Sequence, residues 1–325
     1  MNEEREPDDA PREAPPAGRP RGRRQEQRRS TRVEVNGWIN LDKPVGVTST
    51  QAVAQIKHMF NAKKAGHAGT LDPLASGVLP IALGEATKTV SVVQDGTKAY
   101  AFTVRWGEET DTDDAEGQVV ARSDLRPSPD EIIALLPRFI GAIQQIPPTF
   151  SAIKIAGERA YDLAREGTEF EIASREIHVH RLDLISSEPD VAVFEAECGK
   201  GAYVRAIARD LGRALGCRAH VILLRRTRVG PFWAERGFAL ETLRDSAEAR
   251  VAALASIEAG LSELTRVPTD RSGAATLRRG QKLLLRGAAA PPEGPAYAVC
   301  LGAPIAVGVV EGGYFISTRV FNMPN

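Results

Sequence analysis

Cysteine is scarce: Cys198, Cys217 and Cys300 are the only three, and no two are spaced as CxxC. An odd count in a 325-residue chain argues against a disulfide-framed secreted domain and for free thiols in a reducing, cytoplasmic setting. Histidine is scarcer than a metal site needs. Of five, His178 and His180 share a strand face, but no third ligand accompanies them, so a solvent-facing pair is expected and no metal. No apolar run is long enough to span a bilayer, so no membrane partner is expected. The charged, proline-rich start has no apolar core of a secretion signal. Net charge is also absent, with 42 basic and 42 acidic residues, which by itself speaks against no partner class.

That zero conceals segregation. Acidic clusters lie at 1–13 and 108–116, and basic ones at 19–32 and 200–228. Lysine supplies nine of the 42 basic residues and arginine the rest. Arginine suits bidentate phosphate contact and stacking on bases. Residues 1–32 are rich in Pro, Glu and Arg and poor in large apolar side chains, the composition of a disordered tail. The arm is either a polyanion-binding strand of chain or a solvated tail without function.

Order is expected from Val33. Thr48-Ser49-Thr50-Gln51 fits a capping box, with a helix following to Phe60. Lys98–Gly107 alternates, placing Tyr100, Phe102, Val104 and Trp106 on one side of a strand. Residues 80–83, 172–184 and 191–198 read as further strands; 85–93, 129–141, 158–166 and 239–264 read as helices. The segment 108–117 reads as an acidic loop. It is no EF-hand, since Ala115 occupies a ligand position. Over 202–215, Val204, Ile207, Ala208, Leu211 and Leu215 form a core stripe. Arg205, Arg209 and Arg213 recur on another face, which is either a phosphate-binding surface or a solvated one. Residues 267–325 change to glycine, proline and short apolar runs, a small β-rich module.

The densest stretch is Gly66-His67-Ala68-Gly69-Thr70-Leu71-Asp72-Pro73-Leu74-Ala75-Ser76-Gly77. Glycine admits backbone conformations that other residues resist, and Pro73 restricts Asp72 before it. A carboxylate held in such a loop can serve as a nucleophile, or the loop can be an ordinary turn. No second acid follows until Glu85, which argues against a paired-carboxylate glycosidase.

Several pieces occur in order: GWINLDKPVG at 37–46, GHAGTLDPLASG at 66–77, LGEAT at 83–87, KAY at 98–100, TDTDDAEG at 110–117, IPPTFS at 146–151, GKGAYVR at 199–205 and AHVILLRR at 219–226. Together they resemble the TruB family, the bacterial tRNA pseudouridine-55 synthases, over 35–236, with a weaker match beyond. The resemblance implies an α+β fold: a mixed, mainly antiparallel sheet flanked by helices, with a C-terminal PUA-like RNA-binding module. The domain division it suggests is a tail to 32, a catalytic domain over 33–264 and the module over 265–325. It implies roles as well. Asp72 corresponds to the catalytic aspartate, Arg205 to the arginine that pairs with it, and Tyr100 to the tyrosine that stacks on the target uracil. Tyr203 corresponds to a second active-site tyrosine, Leu224 to an apolar wall, and His67 to a histidine that fills the space of flipped nucleotides. Lys43 and Asp114 correspond to supporting residues.

The implied reaction breaks the N1–C1′ bond of a uridine, turns the base and joins C5 to C1′, so it requires no cofactor and no metal. The carboxylate could attack C1′, attack C6 or take a proton from C2′, and the residues do not choose among these. The implied partner is tRNA, at the loop of its T-arm, met by a monomer. A non-catalytic RNA-binding protein on the same scaffold, or an N-glycoside hydrolase, would share much of this pattern.

Overall fold

The computed structural model describes residues 32–323, except 152, 156–157, 166–169 and 286–290. The arginine-rich arm before residue 32 and the end of the helix expected over 158–166 lie outside the described residues.

The first helix, Ser49–Met59, starts where its cap dictates. Thr48 Oγ1 accepts from the Gln51 amide at 3.1 Å, and Gln51 Oε1 accepts from the Thr48 amide at 2.9 Å. Two otherwise unsatisfied N–H groups are thereby paired. The helix buries Ser49, Ala52 and Ile56. Ser49 faces inward for a reason: its hydroxyl donates to Leu71 O and accepts from Leu71 N, both at 2.9 Å. The helix start thus grips the residue before Asp72.

The centre is an 11-stranded sheet. Its main path runs Phe238–Ala239, Gly37–Lys43, Ser76–Leu83, Ala219–Val229, Lys98–Trp106, Val191–Cys198, Arg175–Ser187 and Gly141–Gln145. Pairing is antiparallel except at the first junction and between Ser76–Leu83 and Ala219–Val229. Ser76–Leu83 is buried along nearly its whole length, as a strand covered on both faces must be. On the far half of the sheet the alternation of Lys98–Trp106 meets that of Val191–Cys198. Phe102 stacks on Phe194 at 5.4 Å, and Trp106 meets Phe194 edge-on at 6.3 Å. These rings are almost wholly buried. Truncating any one to Ala would cost about 3–5 kcal/mol.

Three sequence expectations change. The alanine-rich stretch 239–264 is not one helix. It is two short helices, Leu240–Asp245 and Ala247–Ala253, then a strand, Leu254–Ala255, added to Gly37–Lys43, then a 3₁₀ turn. The helix expected over 129–141 stops at Leu135, continues as a 3₁₀ turn to Phe139, and yields to the edge strand Gly141–Gln145. The acidic loop begins as a strand, Glu108–Thr110, paired with Val119–Arg122.

Past residue 264 a second sheet of five strands forms, in the order Thr265–Pro268, Gly294–Cys300, Ala303–Glu311, Tyr314–Val320, Leu283–Leu284. Helix Arg271–Arg278 covers it, capped by Asp270, whose carboxylate accepts from Gly273 N at 2.7 Å. Tyr297, Val299, Val307 and Phe321 of this half share a buried cluster with Trp38, Val229, Phe232 and Leu261.

Candidate active site

The loop 68–75 joins Ala65–His67 to Ser76–Leu83. Gly69 (φ +101°) and Gly77 (φ +103°) take left-handed backbone at its two ends, and a Cβ on Gly77 would lie 2.2 Å from Arg226 O, so only glycine fits there. At the loop's apex, Asp72 Oδ2 lies 3.0 Å from Arg205 Nη2. The Asp72 side chain is about one-third exposed while that of Arg205 is buried. Arg205 is held from three other directions: Nη1 donates to Asp114 Oδ2 at 2.9 Å and to Thr112 O at 2.8 Å, and Nη2 donates to Phe150 O at 3.0 Å. Two carboxylates share one guanidinium, and only Asp72 opens outward. Planar, multiply tethered arginine is a rigid anchor for a carboxylate.

Asp72 opens into a cleft of about 630 Å³. Tyr100, Tyr203, Arg205 and Leu224 line it with Asp72, so these expected residues are brought together. Leu224 and Arg226 face the cleft from Ala219–Val229, in register with Phe102 and Tyr100. Burial pushes the Tyr100 hydroxyl above its ordinary value. Tyr203 precedes the arginine helix, Val204–Ala214. Its backbone is gripped by the Gln145 side chain, which donates to Tyr203 O at 3.1 Å and accepts from Tyr203 N at 2.9 Å. The Arg175 guanidinium lies 5.1 Å from the Tyr203 ring centre.

Lys43 and His67 do not line the cleft. Lys43 is wholly enclosed, and its ammonium donates to Pro44 O and Val47 O, both at 2.8 Å. Burial lowers it to about 8, against the attraction of Asp72. It stiffens the turn after Gly37–Lys43. His67 is half-buried, in the short strand paired opposite Ile81.

The phosphate-binding face expected of Arg205, Arg209 and Arg213 is not there. Arg209 is buried, donating to Asp113 at 2.9 Å, to Asp210 at 2.8 Å and to Ile146 O at 2.7 Å. Arg213 forks onto Glu109 at 2.6 and 3.0 Å. The basic helix and the acidic ribbon of the sequence are partners of each other. Asp113 is sufficiently enclosed that burial pushes it up to about 6 even beside Arg209. His178 and His180 are exposed, their rings 4.5 Å apart. Cys198, Cys217 and Cys300 are buried free thiols.

Sequence reasoning missed two buried cations of the cleft wall. Lys98 donates to Gln94 O and is lowered to about 8, chiefly by burial. Arg226 is buried; in the sequence it stands within a basic run and as the last residue of AHVILLRR, with no role of its own. For Lys98 a signal was available, since it shares the strand face of Tyr100, Phe102, Val104 and Trp106. Among the described residues no group of three or more His, Cys, Asp or Glu side chains is placed to hold a metal ion, and no helix is long and apolar enough to cross a membrane.

Comparison with known proteins places the same residues in context. Residues 57–204 match the TruB family pseudouridylate synthase N-terminal domain, and 205–267 match the tRNA pseudouridylate synthase B C-terminal domain. The tRNA pseudouridine synthase B of Bradyrhizobium diazoefficiens is 56% identical over 304 residues, covering 91% of this chain and 88% of that protein. That of Rhizobium meliloti is 54% identical over 298 residues, covering 88% and 96%. Among solved structures, a Cbf5-Nop10-Gar1 complex superposes with a TM-score of 0.69 at 29% identity, over 89% of this chain and 85% of that one. An H/ACA RNP bound to a substrate RNA containing 2′-deoxyuridine superposes with a TM-score of 0.67 at 26% identity, over 89% and 85%.

Proposed function

We propose, from the premise that this chain belongs to the TruB family of pseudouridylate synthases, that Asp72 is the nucleophile with which it converts a tRNA uridine to pseudouridine. The observation that carries the assignment is the Asp72–Arg205 pair: a carboxylate anchored on a buried guanidinium yet open to a cleft of nucleotide size. Arg205 anchors the acid, and its second acid, Asp114, keeps the arginine in place.

The reaction needs no net change of charge or redox state. Asp72 bonds to C1′ or to C6 and is released again before the product leaves; the N1–C1′ bond breaks, the base turns within the cleft, C5 bonds to C1′, and the proton lost from C5 is matched by one gained at N1. Bringing the bond within reach of Asp72 requires the uridine to leave its stack, at a cost of a few kcal/mol. Stacking on Tyr100 would return roughly 1–3 kcal/mol. Leu224 and Tyr203 close the remaining walls against water, which would otherwise capture the sugar intermediate. Lys43 and His67 act from outside the cleft, Lys43 by stiffening the turn beside the loop.

The target in this reading is uridine 55 in the T-arm loop, an unstacked-loop substrate read by shape. The catalytic part spans 33–264, and the sheet beyond residue 264 is a PUA-like RNA-binding module. The enzyme works as a monomer in the cytoplasm, where three free buried thiols stay reduced.

Mapping pseudouridine by position after incubation of unmodified tRNA with wild type and Asp72→Asn tests this. The expected result is modification at one T-loop position by wild type alone, with tRNA affinity of the variant kept within about tenfold (~1.4 kcal/mol). Turnover by Asp72→Asn would remove the nucleophile assignment. Free uracil with an abasic site would mean hydrolysis instead.

A further inference from the structure

Arg226 has a position unlike that of any other arginine at the site. Arg205 meets Asp72 and Asp114, and Arg209 meets Asp113 and Asp210. Arg226 is as buried as they are, yet among the described residues it has no carboxylate within ion-pair distance. Its donors go to backbone instead. Nη2 donates to Gly69 O at 3.1 Å, Nη1 to Thr70 O at 3.1 Å, and Nε to Val78 O at 2.8 Å. Gly69 and Thr70 precede Asp72, and Val78 follows the loop. The Arg226 backbone meanwhile pairs with Gly77 on one side and with Tyr100 on the other. One residue therefore grips the loop before and after its acid and is the strand neighbour of the tyrosine opposite.

Burying an unpaired guanidinium is costly, and apolar side chains of similar volume commonly pack such sites as well or better. Lysine would keep the charge but offers a single point, which cannot bridge two successive carbonyls and a third across the loop. A planar fork does so with fixed angles. Arg226 and Tyr100 are direct partners across two neighbouring strands, and both line the cleft, so the residue that grips the loop also sits beside the tyrosine.

We propose that Arg226 is the positioning residue of this active site, setting the Asp72 loop from both ends relative to its strand neighbour Tyr100. The inference rests on the reading of Asp72 and Tyr100 given above. Displacements of an ångström at such a centre cost on the order of 10²-fold in rate.

The test compares wild type, Asp72→Asn, Tyr100→Phe, Arg226→Met, Arg226→Lys and the Tyr100→Phe/Arg226→Met double variant on unmodified tRNA. Single-turnover rate, tRNA Kd and thermal unfolding are read for each. Arg226→Met should lose about 10²-fold in rate with Kd held within about threefold (~0.65 kcal/mol). Arg226→Lys should recover only a minor part of that loss. Because Arg226 sets Asp72 relative to its strand neighbour Tyr100, the two substitutions should be coupled: Arg226→Met should cost at least about tenfold less in the Tyr100→Phe background than in wild type. A merely structural role would move Kd, rate and unfolding together and would leave the two substitutions additive. A near-wild-type rate in Arg226→Met, or additivity, overturns the proposal. If Arg226→Met does not fold, Arg226→Lys is judged by the same rate and Kd criteria. Failure of both to fold makes the residue a structural one and also overturns it. An active Asp72→Asn would sink the reading of the site itself, whereas an inactive Asp72→Asn beside an active Arg226→Met sinks this inference alone.

Discussion

Arg205 and Arg209 leave the same helix one turn apart, and each ends on a carboxylate, Asp72 at 3.0 Å and Asp113 at 2.9 Å. The surroundings of the acids differ. Asp72 lies at a loop apex with about a third of its side chain exposed to a cleft; Asp113 is closed off almost completely. In the reading proposed above, the same pair of groups is a reactive centre where solvent and substrate can reach it, and a fastening where they cannot. Access, more than ion-pair chemistry, separates function from scaffold here.

The largest effect that should separate the two pairs is on turnover. Arg205→Met is expected to lower it by about 10²–10³-fold. The same change leaves Asp114 buried without its cation, so it should also cost about 3–5 kcal/mol of stability. Single-turnover assays alongside denaturant unfolding would check both, and an active, stable variant would erase the distinction. Arg209→Met comes next. It should lose a similar ~3–5 kcal/mol of stability, while turnover per folded molecule stays within about threefold (~0.65 kcal/mol). A selective loss of activity would mean that the second pair also serves the reaction.

The pH dependence of stability sharpens the contrast. Asp113 titrates at about 6 in the folded chain against 3.8 for a free carboxyl. The folded state therefore holds more protons than the unfolded one between those values, and stability contributed by this group falls as pH rises through them. Midpoints of denaturant unfolding for wild type and Asp113→Asn should diverge in favour of the variant from about pH 4 to about pH 6 and run parallel above. Parallel curves throughout would show that Asp113 is not burdened by its burial. The smallest effect should come from Arg213, whose half-exposed side chain lies on Glu109. Arg213→Gln should shift tRNA Kd by no more than about twofold (~0.4 kcal/mol), because its guanidinium is committed to the buried Glu109 carboxylate. A steep loss would restore the phosphate-binding face that the helix lacks.

Local rules made much of this readable. The Thr48–Gln51 cap marked the first helix, and alternation from Lys98 to Trp106 marked a central strand, since both signals lie within a few residues. The meeting of Asp72 with Arg205, residues far apart in the chain, came through the ordered motifs and from no spacing rule. What remained hidden depended on pairing at a distance. The 200–228 basic run looked like a surface because its acidic counterparts sit near residue 110. Strand Ala219–Val229 escaped notice because bulges at 221–223 and 226–228 break its alternation and place Arg226 inward. The alanines of 239–264 favour helix at every position, but packing against Gly37–Lys43 turns Leu254–Ala255 into strand.

The seam between Gly77 and Arg226 also says when this protein can become active. Its two sides are separated by nearly half of the polypeptide, as is the Arg226 contact to Thr70, 156 positions apart. A nascent chain carries Asp72 early, but the partner strand leaves the ribosome much later. A translation product halted before residue 219 would hold the whole GTLDP stretch and still lack the wall of the cleft that Leu224 and Arg226 supply. Non-local closure of this kind is slow to form. It delays the chemistry until the scaffold around it is complete.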